Sequence, residues 1–304
     1  MNADILGIGE PLIEMVKLPH PIDGRPAYVQ GFGGDTSTAI VAAARQGAKT
    51  GYLTALGDDM FGEAIRALWT REGIDHTHVL TREGDPTGVC FIDPDPAGRR
   101  FTYARRGSAA SFYSPADLPE DAIAAAKVLH LSGVTLAISP TMRAAALRAC
   151  DIARASGTLV SLDLNHRPRL WSDDLAREVL ASVPADIVFP SDDEAERLLG
   201  LTDTDAVLDH YLERGARIVA LKRGAEGAII ATSDTRQHIP AAPATPVDSA
   251  GAGDSFAGAF LAYWLETADP HLAATRAAKV AAGTVSGLGA VEPIPRRKAI
   301  IDND

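Results

Sequence analysis

The chain has 304 residues, 46% of them hydrophobic and 23% charged, with 40 acidic against 29 basic side chains and a net charge of −11. That balance argues against nucleic acid or an anionic membrane as the main partner, and no apolar run is long enough to cross a bilayer. The two cysteines, Cys90 and Cys150, offer neither a disulfide framework nor a zinc site, and the N-terminus lacks a basic-then-apolar signal, so a cytoplasmic protein is expected.

In chain order the pattern alternates between extended and helical periods. A short buried strand is predicted over 4–9, an Ala-rich helix over 38–46, a strand over 50–56 and a helix over 60–72 that stops at Gly73. Then come a strand over 127–132, a helix over 140–156 ending at Gly157, and strands over 158–164 and 187–189. An acidic helix follows over 192–199, then a strand over 218–222 and a hairpin-like excursion from 228 to 238. Two Ala-rich helices, 252–266 and 270–286, close the chain. This order predicts an α/β protein with a mostly parallel sheet covered on both faces. Residues 11–32 and 86–106 break the alternation with short β-like runs (LIEMV, AYVQGF, GVCFID, RRFTYAR) joined by turns. Neither has room for a crossover helix. They are expected to meet as a small antiparallel sheet, either a lid over a ligand crevice or a pair of solvated hairpins. The whole of 1–304 reads as one domain with this appendage.

The stretch 246–260, PVDSAGAGDSFAGAF, carries the strongest chemical signal. Gly251, Ala252 and Gly253 form a loop almost without side chains, and Asp254 stands at the mouth of a helix. Such a loop presents backbone N–H groups at the positive end of a helix dipole, which suits a phosphate. A carboxylate there repels the anion, but makes sense if Asp254 takes a proton from the nucleophile that attacks the phosphate. A glycine turn with Asp254 as helix cap fits the local pattern equally well.

Other motifs are weaker. GIGEPL (7–12) imitates a dinucleotide fingerprint, but Leu12 replaces the third glycine and Pro11 hinders a helix; no P-loop and no GxSxG elbow occurs. Gly33 and Gly34 precede a helix with Asp35 and Thr36 in its first turn, which suits a small polyol and also suits ordinary capping. Asp163, Asn165 and Arg167 fall in step at the C-terminal end of a buried strand, the edge where open parallel sheets bind ligands. A structural ion pair would explain them too. Tyr103 and Arg105 alternate on one face of the presumed lid, where a phenol and a guanidinium would suit a hydroxylated carboxylate. Lys222, Gly224 and Gly227 make a tight turn able to lie against a nucleotide. The SDDE run, with Glu194, could hold a hydrated Mg²⁺ or serve as an acidic helix start.

Together these motifs resemble the ribokinase-like (PfkB-type) carbohydrate kinases over essentially the whole chain. DSAGAGDSFAGAF (248–260) is similar to that family's C-terminal signature and the glycine pair at 33–34 to its N-terminal one, with Thr38 where asparagine is common. The resemblance implies a Rossmann-type three-layer α/β/α sandwich with a β lid, and ATP- and Mg²⁺-dependent phosphorylation of a sugar hydroxyl. It implies Asp254 as base and the amides of Gly251, Ala252 and Gly253 as anion hole. Lys222, Gly224 and Gly227 would flank the ATP, with Asn165 and Arg167 near its phosphates, and Asp248 could hold a monovalent cation such as K⁺. Within the family, GGDT (33–36), YARRGSAAS (103–111) and DLNHRPRLW (163–171) resemble the 2-keto-3-deoxygluconate kinase branch. That implies a sugar acid held by Gly33, Gly34, Asp35, Tyr103, Arg105 and Arg167. Cys90 departs from this branch, where tyrosine is frequent. Fructose- or ribose-type kinases and kinases for related keto-deoxy acids are the near alternatives, and a non-catalytic binding module the distant one. Exposed lid edges make a homodimer or higher homo-oligomer the expected assembly.

Overall fold

Short runs rich in Ile, Leu and Val build the centre of the molecule, and the computed structural model describes residues 3–95 and 98–302. In chain order the strands are β1 (Ile5–Ile8), β2 (Leu12–Lys17), β3 (Tyr28–Gly33), β4 (Thr50–Leu53), β5 (Ala55–Gly57), β6 (Leu80–Arg82) and β7 (Val89–Asp95). They continue with β8 (Gly98–Ala104), β9 (Val128–Ser132), β10 (Leu159–Asp163), β11 (Ile187–Phe189), β12 (Ile218–Lys222), β13 (Ala228–Ala231) and β14 (Arg236–Ile239). The main sheet has the order β14-β13-β12-β11-β10-β9-β1-β4. It is parallel from β4 to β12, and the β13–β14 hairpin adds an antiparallel edge.

Alternation splits the core between the two faces. Ile5 points to one side, with Ile40, Phe256, Phe260 and Tyr263 from the helices Asp35–Arg45 and Ala252–Thr267. Leu6 and Ile8 point to the other, with Met142, Ala145 and Ala149 from the helix Pro140–Ser156. The sheet is thus the middle layer of an α/β/α sandwich. Gly258 fixes how the first two helices cross: a Cβ there would sit 1.8 Å from the Ala39 carbonyl oxygen. Glycine lets the backbones touch, which brings both helix N-termini to the same end of the sheet.

The two irregular segments form the second sheet, of order β3-β2-β7-β8. Its residues 96–97 lie outside the described ones, as do both ends of the 1–304 span. The expectation of an antiparallel sheet needs correcting. Each hairpin is antiparallel, but β2 and β7 pair in parallel where the hairpins join. Both strands leave the main body in the same direction, so their junction has to be parallel. The stretch 50–56 divides as well: β4 stays in the main sheet, while β5 pairs with β6. Short helices at Glu120–Ala125, Gly133–Ala137, Asp173–Ser182, Thr204–Glu213 and Arg297–Ile301 add to those read from the pattern. No helix among the described residues is long and apolar enough to cross a membrane.

Candidate active site

The helix Ala252–Thr267 begins at Gly251, whose left-handed φ of 71° turns the chain into it. The first i→i−4 bond runs from the Ser255 amide to the Gly251 carbonyl at 2.7 Å, so the amides of Ala252, Gly253 and Asp254 precede the ladder. The loop before them is clamped: Asp248 accepts from the Ala250 amide at 2.7 Å and the Gly289 amide at 3.1 Å. The second helix start is built alike. Gly34 caps Asp35–Arg45 at φ 90°, and a Cβ there would lie 2.4 Å from the Glu10 carbonyl oxygen.

Both helix starts open into one cavity of about 570 Å³, which Gly34, Asp35, Gly251 and Asp254 line together. Each start carries an aspartate, and the pair raises a physical conflict. Asp254 is pushed up to about 8, first by burial, then by the charges of Asp35 and Asp163, against the pull of Lys222 and Arg167. Asp35 is raised by burial, while Ser132 and the Thr36 amide oppose the rise. Ser132 Oγ donates to Asp35 Oδ2, and Oδ1 is buried without a partner. A buried acceptor left open at a cavity wall fits a ligand hydroxyl.

The end of β10 supplies the support. Asn165 adopts φ 36°, unusual for a residue other than glycine, and its Nδ2 donates to Asp254 Oδ1 at 2.9 Å. Asp163, buried, takes both bonds from the Lys222 ammonium at 2.6 and 2.7 Å. Burial alone would lower Lys222, but Asp163, Glu194 and Asp254 outweigh it and raise the ammonium. A Cβ on Gly253 would stand 3.5 Å from Lys222 Nζ, so this cation sits beside the helix start. Glu194 is a capping-box residue, as the acidic-helix alternative required: its oxygens accept from the Ser191 amide at 3.0 Å and the His166 amide at 2.8 Å.

The smaller sheet closes the cavity with Cys90, Phe101, Tyr103 and Arg105, and the segment after β10 adds Arg167 and Arg169. Arg105 is not a bare anion receptor. Its Nε donates to Glu10 Oε2 at 2.6 Å and its Nη2 meets the same oxygen, which leaves Nη1 outside the fork. Burial raises the Glu10 carboxyl, and Arg105 and Ser108 work against the rise. Arg167 is exposed at the cavity wall and donates through Nη1 to the His166 carbonyl at 3.1 Å. The Cys90 thiol, buried in the same wall, is pushed up to about 12 by burial and is inert as a nucleophile.

Some expected residues also serve the fold. Gly33 leaves room for the Glu14 carboxylate, since a Cβ would lie 2.3 Å from its Oε1. Gly227, at φ 95°, would collide with the Ile239 carbonyl oxygen at 2.1 Å, so the β12–β13 turn needs glycine whatever it binds. Gly224 starts the same turn, next to Arg223, which pairs with Asp192 and Glu226. Glu10, Ser132 and Arg169 were missed. Glu10 and Ser132 stand at C-terminal ends of parallel strands, and that position was the available signal. No group of three or more side chains among the described residues could cage a metal ion.

Comparison with known proteins agrees with this geometry. The model of the pfkB family of carbohydrate kinases matches residues 11–297. A 2-dehydro-3-deoxygluconokinase of Thermoproteus tenax is 31% identical, over 96% of this chain and 91% of that one. A fructokinase-1 of Oryza sativa is 33% identical, over 84% of this chain and 81% of that one. An Escherichia coli protein described as a ribokinase II, solved with ATP and Mg²⁺, superposes with a TM-score of 0.91 at 26% identity, over 99% of this chain and 98% of that one. The chain is a carbohydrate kinase and belongs to the pfkB family.

Proposed function

We propose that the protein transfers the γ-phosphoryl of ATP to the terminal hydroxyl of 2-keto-3-deoxygluconate, the 2-dehydro-3-deoxygluconate of its relatives' names. One observation carries this reading. A single cavity is lined by Asp254 and an open helix start together with Tyr103, Arg105, Arg167 and Arg169. Asp254 and the helix start suit a hydroxyl under attack on a phosphoryl group; the guanidiniums suit a carboxylate on the same molecule. The Thermoproteus relative supports the choice of sugar acid.

In this reading the ionised form of Asp254, whose share grows as pH rises towards and past about 8, accepts the proton of the acceptor hydroxyl as that oxygen bonds to the γ-phosphorus. The bond from phosphorus to the bridging oxygen breaks, and ADP leaves with the electron pair. Asn165 aims the carboxylate. The amides of Gly253 and Asp254 hold the transferring oxygens, the Ala252 amide already donating to the Ser249 carbonyl at 3.4 Å, and Lys222 adds a fixed positive charge beside them. The cluster fits magnesium carried in with the nucleotide and held through water near Glu194, rather than in a protein cage. Bound there, the ion would neutralise charge on the phosphates. Asp248 clamps the loop by accepting from the Ala250 and Gly289 amides. The smaller sheet acts as the lid that keeps water from the phosphoryl group.

The Arg105–Glu10 pair favours one competitor, a neutral-sugar kinase, because part of the guanidinium is already neutralised. The Oryza fructokinase points the same way. A panel with coupled ADP detection separates the two readings. Turnover of keto-deoxy sugar acids with fructose and ribose inactive is expected; efficient turnover of neutral hexoses alone overturns the proposal.

A further inference from the structure

A second cavity, of about 450 Å³, lies on the other side of β10 from the kinase site, among the helices Pro140–Ser156, Asp173–Ser182, Asp192–Leu199 and Thr204–Glu213. Its floor is apolar: Leu162 and Leu164, with Val188 and Leu198, belong to the core cluster on that face. Its mouth carries Arg154, Arg177, Arg214 and His210, and not one aspartate or glutamate lines it. That is unexpected in a chain with 40 acidic and 29 basic residues. The arginines are differently engaged. Arg214 caps the Ala181 carbonyl at 2.8 Å, and Arg177 meets Asp174, which does not line the cavity. Arg154 is exposed in the last turn of its helix.

A pocket of this volume with an apolar floor is the size that takes a small organic molecule, and a rim of guanidiniums fixes the sign of that molecule's charge. We propose that this cavity binds an amphipathic organic anion, a carboxylate or phosphate on an apolar body, separately from the kinase substrates. The occupant would rest on Leu162 and Leu164, the neighbours of Asp163 and Asn165, and so on the backbone that presents the kinase site. The proposal does not depend on which sugar the kinase phosphorylates.

Calorimetric titration of the ligand-free protein with octanoate and with octyl phosphate tests it, with inorganic phosphate as the apolar-free control. Saturable one-to-one binding of at least one amphiphile is expected, with none of inorganic phosphate and no competition from ATP. Hydrogen exchange should slow in the segments around 177–185 and 210–216. Arg154→Glu combined with Arg177→Glu, both exposed positions away from the kinase site, should weaken binding at least tenfold and leave turnover unchanged. Absence of binding at millimolar concentration, displacement by ATP, or equal affinity in the double variant would overturn the proposal.

Discussion

Replacing Asp254 by asparagine should stabilise the ligand-free protein, and the gain should depend on pH. The wild-type carboxyl has an ordinary value of 3.8 and is pushed up to about 8 here, by burial and by Asp35 and Asp163. Folding at pH 7 therefore forfeits the ionisation available to the unfolded chain, a cost on the order of 4 kcal/mol. Water in the cavity and the helix dipole reduce it to about 1–3 kcal/mol. Asparagine removes the cost and keeps an Oδ1 to accept from Asn165. For a chain of this length each kcal/mol is worth roughly 1.5–2 °C, so the variant should melt about 2–5 °C higher at pH 8. The folded pKa lies above the unfolded one, so the advantage vanishes below pH 3.8, grows as pH rises, and is complete past about 8. Differential scanning fluorimetry between pH 5 and 9 reads this directly. A gap independent of pH, or a variant that melts lower at pH 8, refutes the electrostatic picture of the site. The gain illustrates a site held at the expense of stability.

Three more outcomes follow from particular contacts. Arg105→Ala strands a Glu10 side chain that is 1% exposed, so it should cost about 3–5 kcal/mol at high pH as well as raise KM for the sugar acid. The loss should shrink as pH falls through the raised Glu10 value, and adding Glu10→Gln should recover stability but not KM; melting curves with kinetics at two pH values check both. Asn165→Gly and Asn165→Ala should each lower kcat about tenfold or more by freeing the Asp254 carboxylate, but only the glycine variant accommodates φ 36° without strain, so it should melt higher than the alanine one. Gly258→Ala should destabilise by about 3 kcal/mol or more, because the added Cβ meets the Ala39 carbonyl at 1.8 Å and the helices must part; an unchanged melting temperature would contradict the crossing described here.

Much of this was legible in the chain because period and punctuation agreed. The helices Met60–Glu72 and Pro140–Ser156 end at Gly73 and Gly157, both left-handed, where the pattern put them. The loop at 251–254 was legible because missing side chains beside a lone aspartate are a chemical statement in themselves. Pairing direction was not. The parallel join of β2 and β7 depends on where both strands leave the body, which no local pattern encodes. The helices Asp173–Ser182 and Thr204–Glu213 carry readable caps, Ser172 and Asp203, but their apolar stripes are too short to stand out from the pattern. The partnership of Arg105 with Glu10 joins residues 95 positions apart and emerges only when the two sheets meet. Glu10 lies inside the false fingerprint at 7–12, which masks its role. Those glycines serve packing instead: a Cβ on Gly9 would lie 2.3 Å from Thr36 Oγ1.

The central claim is that Asp254 takes the proton of the attacking hydroxyl. Rapid-quench single-turnover kinetics of Asp254→Asn, with ATP and sugar-acid affinities measured alongside by calorimetry, tests it most directly. Phosphoryl transfer should fall by about three orders of magnitude or more while both dissociation constants stay within a fewfold of wild type. Transfer at a near-normal rate with both ligands bound would contradict it.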